Sequence, residues 1–388
     1  MSTATLFCNA RLVLPTGICP GEVLTEGEAI TAVALNASLE RPAGCRVVDA
    51  EGLYLSPGFI DIHTHGAGGY NFMDGPEAIY GACRAHLLHG TTTILPTTVT
   101  GSRQELLEYV ELFNTIELQK PGHPTIHGLH LEGPYFAASQ AGAQNPEYLR
   151  PPQPEEYEQV LARTKRIRRW SFAIELPGSQ QFLRRLRQEG IISSLAHSDA
   201  TCQEVFRSYE NGLACLTHFY SCMATVRRVN AWRIAGAIEA GYLLDDLYVE
   251  AIADGCHLPA ELLQLIYKIK GPDRVCLVTD SMQAAGMPDG EYTLGGLPVI
   301  KEDGVAKLAD RSAFAGSVAT ADRLVRTVCQ LTDAPLYQAV KMASLTPAKL
   351  LRIDGETGSI AQGKRADLLL FDEDIQIKKV MVRGEFAC

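Results

Sequence analysis

The chain has 388 residues, 46% hydrophobic and 21% charged, a balance that supports a large buried core. Its net charge of −10 excludes nucleic acid as the main partner, since a phosphate backbone calls for a basic face. No run of eighteen apolar residues occurs, so no membrane-spanning helix is expected, and MSTATLFCNARLVL lacks the basic and apolar regions of a secretion signal. Eleven scattered cysteines without a C-x-x-C pair suit reduced thiols, and a cytoplasmic location is expected.

In chain order, the first 56 residues read as short strands: TLFCNARLVLP, GEVLTEGEAITAVAL and CRVVDAEGLYLSP. FIDIH then opens an alternation of strands and helices. The first helix starts at DGP, Asp74 to Pro76, and ends at Gly90. TTTILPT, TIHGLHLE, SFAIELP, IISSLAH, GLACLTH, LYVEAIAD and RVCLVTD follow, separated by helices from about Ser102, Glu155, Gln180, Gln203 and Pro259. The basic run ARTKRIRRW, Ala162 to Trp170, reads as a solvated helix end. Ser281 to Arg311, with YTLGG and PVIKEDGVAKL, reads as an inserted hairpin, and ADLLLFDED and IQIKKVMVRGE return to strands. Eight strand–helix units predict a (β/α)8 TIM-like barrel over 57–357, with residues 1–56 and 358–388 pairing as a small β domain.

Catalytic residues of such barrels lie at the C-terminal ends of the strands. Here those ends carry His63 and His65, then His130 and Glu132, His197, His218, Asp254 with His257, and Asp280. Buried ionisable groups are rare without a partner, so this recurrence points to metal ligands and proton carriers. His63 and His65 are two apart and face one side of a strand. Four histidines with Glu132 and Asp280 suffice for two cations, with Glu132 able to bridge; Glu175 is a weaker competitor. Imidazole and carboxylate without thiolate suit Zn2+ or Fe2+, with Mn2+ or Co2+ as further options. His86, His89, His123 and His127 fall on a helix, in a turn or at a strand start and read as structural. His130 reads equally as packing or as a partner of Glu132.

PGFIDIHTHG, HLEGPYF, AHSDA, THFYSCM, ADGCHLP, LVTDSM, FAGS and GSIAQGKRADLLLFD resemble the N-acetylglucosamine-6-phosphate deacetylases of the amidohydrolase superfamily. The resemblance implies a barrel of the amidohydrolase type with a small β-sandwich domain built from both chain ends. It implies one or two divalent metal ions on His63, His65, Glu132, His197 and His218, with Asp280 catalytic and His257 at the substrate. It further implies a phosphorylated amino-sugar substrate, held by backbone amides around Ser221 and Cys222, and a homodimer whose neighbouring subunit supplies an arginine. Two departures stand out. Gln144 occupies the place of a family histidine that polarises the acetyl carbonyl, and ATVRRVNAWR differs in spacing from the family's phosphate-binding segment, leaving Arg227 or Arg228 to supply the cation. Gly316 and Ser317, read as a helix start, form a second candidate anion site. An amidohydrolase acting on another N-acylated sugar phosphate, such as N-acetylgalactosamine 6-phosphate, or on another small N-acyl compound remains the alternative.

Overall fold

The structure, a computed structural model, describes residues 4–387; residues 1–3 and 388 of the expected β domain lie outside it. Strand patterns from the two chain ends meet in one eight-stranded sheet. Thr5–Leu14, Gly17–Glu26, Ala29–Leu35, Arg46–Asp49 and Tyr54–Pro57 share it with Leu368–Phe371, Ile377–Val382 and Glu385–Phe386. The joint is antiparallel, Leu368 opposite Pro57 and Phe371 opposite Tyr54. Alternation along Leu368–Phe371 explains why the sheet is buried on both sides. Leu368 and Leu370 pack with Phe7, Leu12, Val23 and Leu55, whereas Leu369 and Phe371 face the main core of the molecule.

Between the ends, strands and helices alternate as the sequence predicts. Phe59–Thr64, Thr91–Pro96 and Thr125–Ile126 form one parallel sheet. Leu129–Glu132, Ile167–Phe172, Ile192–Leu195, Leu213–Leu216, Tyr248–Ala251 and Val275–Leu277 form a second, in chain order. A parallel bridge joins Thr97 to His130, and at the far edges the Asp280 N–H donates to the His63 carbonyl at 2.9 Å. These contacts bring the C-terminal ends of strands from both sheets into one cluster.

Local chemistry starts the helices where expected. Ser102 Oγ accepts from the Glu105 N–H at 3.2 Å while Glu105 Oε2 accepts from the Ser102 N–H at 2.8 Å, a reciprocal cap on Arg103–Phe113. Thr201 and Glu204 repeat it on Cys202–Glu210, and such caps contribute about 1 kcal/mol each. Pro259 is the cap of Ala260–Lys270. Gly90 turns the chain at φ +91 with Phe59 and Leu369 so close that a Cβ would lie 2.9 Å from each.

Three segments add to or depart from the sequence reading. The run ARTKRIRRW is not a helix end throughout: its second half enters the strand Ile167–Phe172, and Arg169 is fully buried. The strand expected at SFAIELP thus begins four residues earlier, because Ile167, Trp170 and Phe172 supply the burial that the charges disguised. Segment ATVRRVNAWR forms an exposed hairpin, Arg227–Val229 with Trp232–Ile234, followed by the unexpected helix Ala237–Leu243. The insertion from Ser281 does form antiparallel strands, three of them: Gly290–Leu294, Leu297–Glu302 and Val305–Leu308.

Candidate active site

His63 ends a strand buried along its whole length, and its Nε2 lies 3.5 Å from both Glu132 Oε1 and Asp280 Oδ1. His65 Nε2 is 3.1 Å from Asp280 Oδ1 and 3.4 Å from Glu132 Oε2. From the other side, His218 Nε2 and His197 Nε2 approach Glu132 Oε1 at 3.0 and 3.5 Å. Two ligand groups result, His63–His65–Asp280 and Glu132–His197–His218, each with its donor atoms within 4.8 Å of one another. Glu132 stands between them with one oxygen toward His65 and the other toward His197 and His218. The structure thus brings together the four histidines, Glu132 and Asp280 that the sequence offers as enough for two cations.

Their chemistry fits a divalent cation. His63 Nε2 is buried, faces the two carboxylates and has no hydrogen-bond partner, a state that costs about 1–3 kcal/mol unless something else satisfies it. Burial disfavours charge on Glu132 and Asp280, yet the surrounding imidazoles outweigh it and hold both carboxyls below their ordinary range. His63 mirrors this: burial works against its protonation, but Asp280, Glu250 and Glu132 push its pKa up. The pocket therefore favours positive charge between two ionised carboxylates, and imidazole with carboxylate suits a borderline or hard ion.

Surrounding groups hold these ligands in place. His63 Nδ1 lies 3.0 Å from Glu250 Oε2, and His197 Nδ1 lies 2.8 Å from the Gln140 carbonyl, leaving each Nε2 toward Glu132. His197, His218 and Asp280 all adopt left-handed backbone, at φ +46, +30 and +46. Non-glycine residues rarely do so, and such strain clusters at functional sites. Ser317, expected at a helix start, instead donates its N–H to the Asp280 carbonyl at 2.7 Å; the next helix begins only at Ala321, which removes Gly316 and Ser317 as a helix-end anion site. His130 bonds Thr97 Oγ1 and Ser171 Oγ, so both ring nitrogens are engaged away from Glu132. Glu175 binds Ser198 Oγ and the Asp199 N–H, bracing the loop after His197.

A cavity of about 210 Å³ opens over the cluster, lined by Gln144, Ser221, Cys222, His257 and Phe314 as well as every ligand except His63. Gln144 donates from Nε2 to Glu132 Oε2 at 2.7 Å and accepts the Thr100 N–H at 2.9 Å. His257 Nδ1 meets Asp254 Oδ2 at 2.8 Å and the ring packs 4.5 Å from Phe314, between centroids. With Nδ1 so engaged, Nε2 is the nitrogen left for a ligand. Arg227 and Arg228 do not line this cavity: they sit on the exposed hairpin, with Arg227 3.9 Å from Asp199. Phe314, Glu250 and Arg169 escaped assignment from sequence, and Asp254 was named at its strand end but not as the partner of His257. Asp254 was visible three residues before His257. The other signal was Glu250 inside the apolar strand YVEA and, next to the exposed Arg168, Arg169 inside IRRWSF.

The amidohydrolase family model matches residues 54–387. The chain belongs to the N-acetylglucosamine-6-phosphate deacetylase family of amidohydrolases. It is 33% identical to the N-acetylgalactosamine-6-phosphate deacetylase of Escherichia coli O157:H7, over 89% of this chain and 91% of that one. It is 32% identical to the N-acetylglucosamine-6-phosphate deacetylase of Lysinibacillus sphaericus, over 88% and 87%. Among solved structures, the N-acetyl-D-glucosamine-6-phosphate deacetylase of Mycobacterium smegmatis, a variant in complex with N-acetyl-D-glucosamine-6-phosphate, superposes at a TM-score of 0.90. That alignment covers 100% of this amidohydrolase and 99% of the other chain at 29% identity.

Proposed function

We propose that this amidohydrolase hydrolyses the N-acetyl amide of N-acetylglucosamine 6-phosphate, releasing acetate and glucosamine 6-phosphate. The observation that carries the reading is the buried ligand cluster around Glu132, roofed by a cavity with Asp280 and His257 in its lining. The residues to hold one or two divalent ions, Zn2+ or Fe2+ before Mn2+ or Co2+, are His63, His65 and Asp280 on one side and Glu132, His197 and His218 on the other. A divalent ion supplies Lewis acidity, lowering the pKa of water toward neutrality and stabilising charge on the acetyl oxygen. Asp280, ionised, accepts the proton of the attacking water as the new C–O bond forms. It then delivers that proton to the nitrogen as the C–N bond breaks, since an amide anion is a poor leaving group. Gln144 holds Glu132 with one end and the Thr100 backbone with the other, and His257, oriented by Asp254, offers Nε2 to a substrate oxygen. Ser221 and Cys222 line the cavity, which supports a place for them at the sugar phosphate, although the Ser221 N–H is already donated to the His218 carbonyl at 2.8 Å.

Among the cavity's lining residues there is no Lys or Arg to meet a phosphate. The hairpin bearing Arg227 and Arg228 projects from the surface, and Trp232, the first residue after its turn, is 77% exposed. An aromatic so exposed suits burial against another chain, and guanidinium suits bidentate phosphate binding. This supports a homodimer in which one subunit's hairpin reaches the other's cavity. The same proposal takes the two parallel sheets as arcs of one (β/α)8 barrel over 57–357, and the sheet from 1–56 and 358–388 as a small sandwich-like domain around Phe7, Leu12, Leu55 and Leu368. A cytoplasmic location is supported by the ten unpaired cysteines among the described residues.

N-acetylgalactosamine 6-phosphate is the second reading, favoured by the 33% identical relative named for that substrate. Acetate release from both sugar phosphates and from their unphosphorylated sugars separates the readings. Turnover of the gluco compound at higher kcat/KM supports the first. Preference for the galacto epimer supports the second, and metal-loaded protein inactive on all four compounds would overturn both.

A further inference from the structure

We propose that Glu250, clamped by Arg169, is a positioning residue that aims His63 at the metal and so governs filling of the His63–His65–Asp280 position. The inference rests on the metal-dependent reading above. Glu250 lies in the strand Tyr248–Ala251 and Arg169 in Ile167–Phe172; both are fully buried beneath the cluster, neither touching the cavity. Glu250 Oε2 serves two neighbours at once. It lies 3.0 Å from His63 Nδ1 and accepts the His218 N–H at 2.9 Å, so one oxygen touches a residue of each ligand group. The other oxygen pairs with Arg169 Nη1.

Arg169 fixes the plane of that carboxylate from several strands. Its Nε donates to Ser194 Oγ at 2.8 Å, its Nη2 to Thr217 Oγ1 at 2.9 Å, and Nη1 also reaches the Ile62 carbonyl at 3.4 Å. With a carboxylate at Nδ1, the imidazole proton resides on Nδ1, and the Nε2 lone pair is left facing Glu132 and Asp280. That is the nitrogen found buried without a hydrogen-bond partner. A structural ion pair alone accounts poorly for this arrangement, because a buried pair is often matched or bettered by apolar residues of similar size. What apolar residues cannot supply is an acceptor at the far nitrogen of a ligand, a device that commonly changes metal affinity 10–100-fold, roughly.

Glu250→Gln tests the point with little change of shape. The introduced amide either offers its NH2 to Nδ1, forcing the proton onto Nε2, or turns that NH2 against Arg169. Glu250→Leu combined with Arg169→Met removes the acceptor and the otherwise unpaired buried cation together, should the single variant fold poorly. The full-length proteins are stripped, equilibrated with Zn2+ across a graded metal buffer, and analysed for metal per chain. Melting of each metal-free protein is followed alongside. The expected result is one Zn2+ site weakened roughly 10–100-fold in both variants, a second site retained, and a metal-free double variant that melts close to wild type. Unchanged affinities, with or without a drop in metal-free melting, would reduce the pair to a structural one and overturn the proposal. Wild-type protein that binds no Zn2+ would instead sink the metal reading itself, an outcome told apart by the wild-type curve alone.

Discussion

Replacing Asp280 by Asn separates its role as proton carrier from its role as ligand. The backbone there is fixed independently of the side chain: the Asp280 N–H donates to the His63 carbonyl at 2.9 Å and its carbonyl accepts from Ser317 at 2.7 Å. Its φ of +46 is a conformation that Asn, like Asp, tolerates well, so the variant keeps the frame. The chemical change is one oxygen becoming NH2, on a side chain whose Oδ1 is 3.1 Å from His65 Nε2. A carboxamide is no base near neutrality. Losing a positioned proton carrier commonly costs 10²–10⁴ in rate, about 3–5 kcal/mol on the barrier. Loss of one charged donor from a cluster of six leaves five, so metal should be largely retained. Acetate release from N-acetylglucosamine 6-phosphate, measured beside elemental metal analysis, is the assay. The expected outcome is a kcat lower by about two to four decades with KM little changed and metal bound. Activity that falls only in step with lost metal, and returns with excess metal, would refute Asp280 as the proton carrier and make it chiefly a ligand.

Other outcomes follow from the same geometry. Chelation should lower the melting temperature, and metal at 100–1,000 times its Kd should restore about 3–4 kcal/mol; no response would remove metal binding. Arg227→Ala, or Arg228→Ala if that residue grips phosphate, should raise KM for the phosphorylated sugar roughly tenfold or more while leaving its unphosphorylated counterpart unaffected, as loss of a charge-assisted contact predicts. Trp232→Asp should shift the protein toward monomer in sedimentation, and an unchanged mass would remove the hairpin from the interface. Acid stability tests the buried pair: burial acts to raise the Glu250 pKa, but Arg169 and His63 prevail and hold it down from 4.5 to about 2. A depressed carboxyl contributes its stability in full above 4.5 and loses it as pH falls toward 2, on the order of 3 kcal/mol. Glu250→Gln should flatten that part of the melting profile, and an identical profile would refute the linkage.

The site was far more legible than its supports. Each ligand follows an apolar run, as FIDIH precedes Thr64 and His65 or GLACLT precedes His218, and a barrel rule then turns position in sequence into position in space. The capped helices were equally plain, because Ser102 and Glu105, or Thr201 and Glu204, act over one turn. Arg169 was not legible, since Lys165 and Arg168 beside it are surface cations and only the partner Glu250, 81 positions away, explains its burial. The hairpin at Arg227 was hidden for another reason: strands of three residues are too short to show a period. Gln144 marks the remaining limit. Its departure from the family's histidine was visible, but its bond to Glu132 came only with the fold.

That bond and the Glu250 contact together suggest how the cluster stays organised. Glu132 sits among four imidazoles, and its Oε2 is fixed from outside the ligand set by Gln144, itself anchored on the Thr100 backbone. His63 is fixed from outside by Glu250, and His197 by the Gln140 carbonyl. Glu132, His63 and His197 are thus gripped on their far sides, while His197, His218 and Asp280 sit on left-handed backbone. With its N–H on the His63 carbonyl and its own carbonyl on the Ser317 N–H, Asp280 is free to change protonation state during turnover without the frame around it having to move.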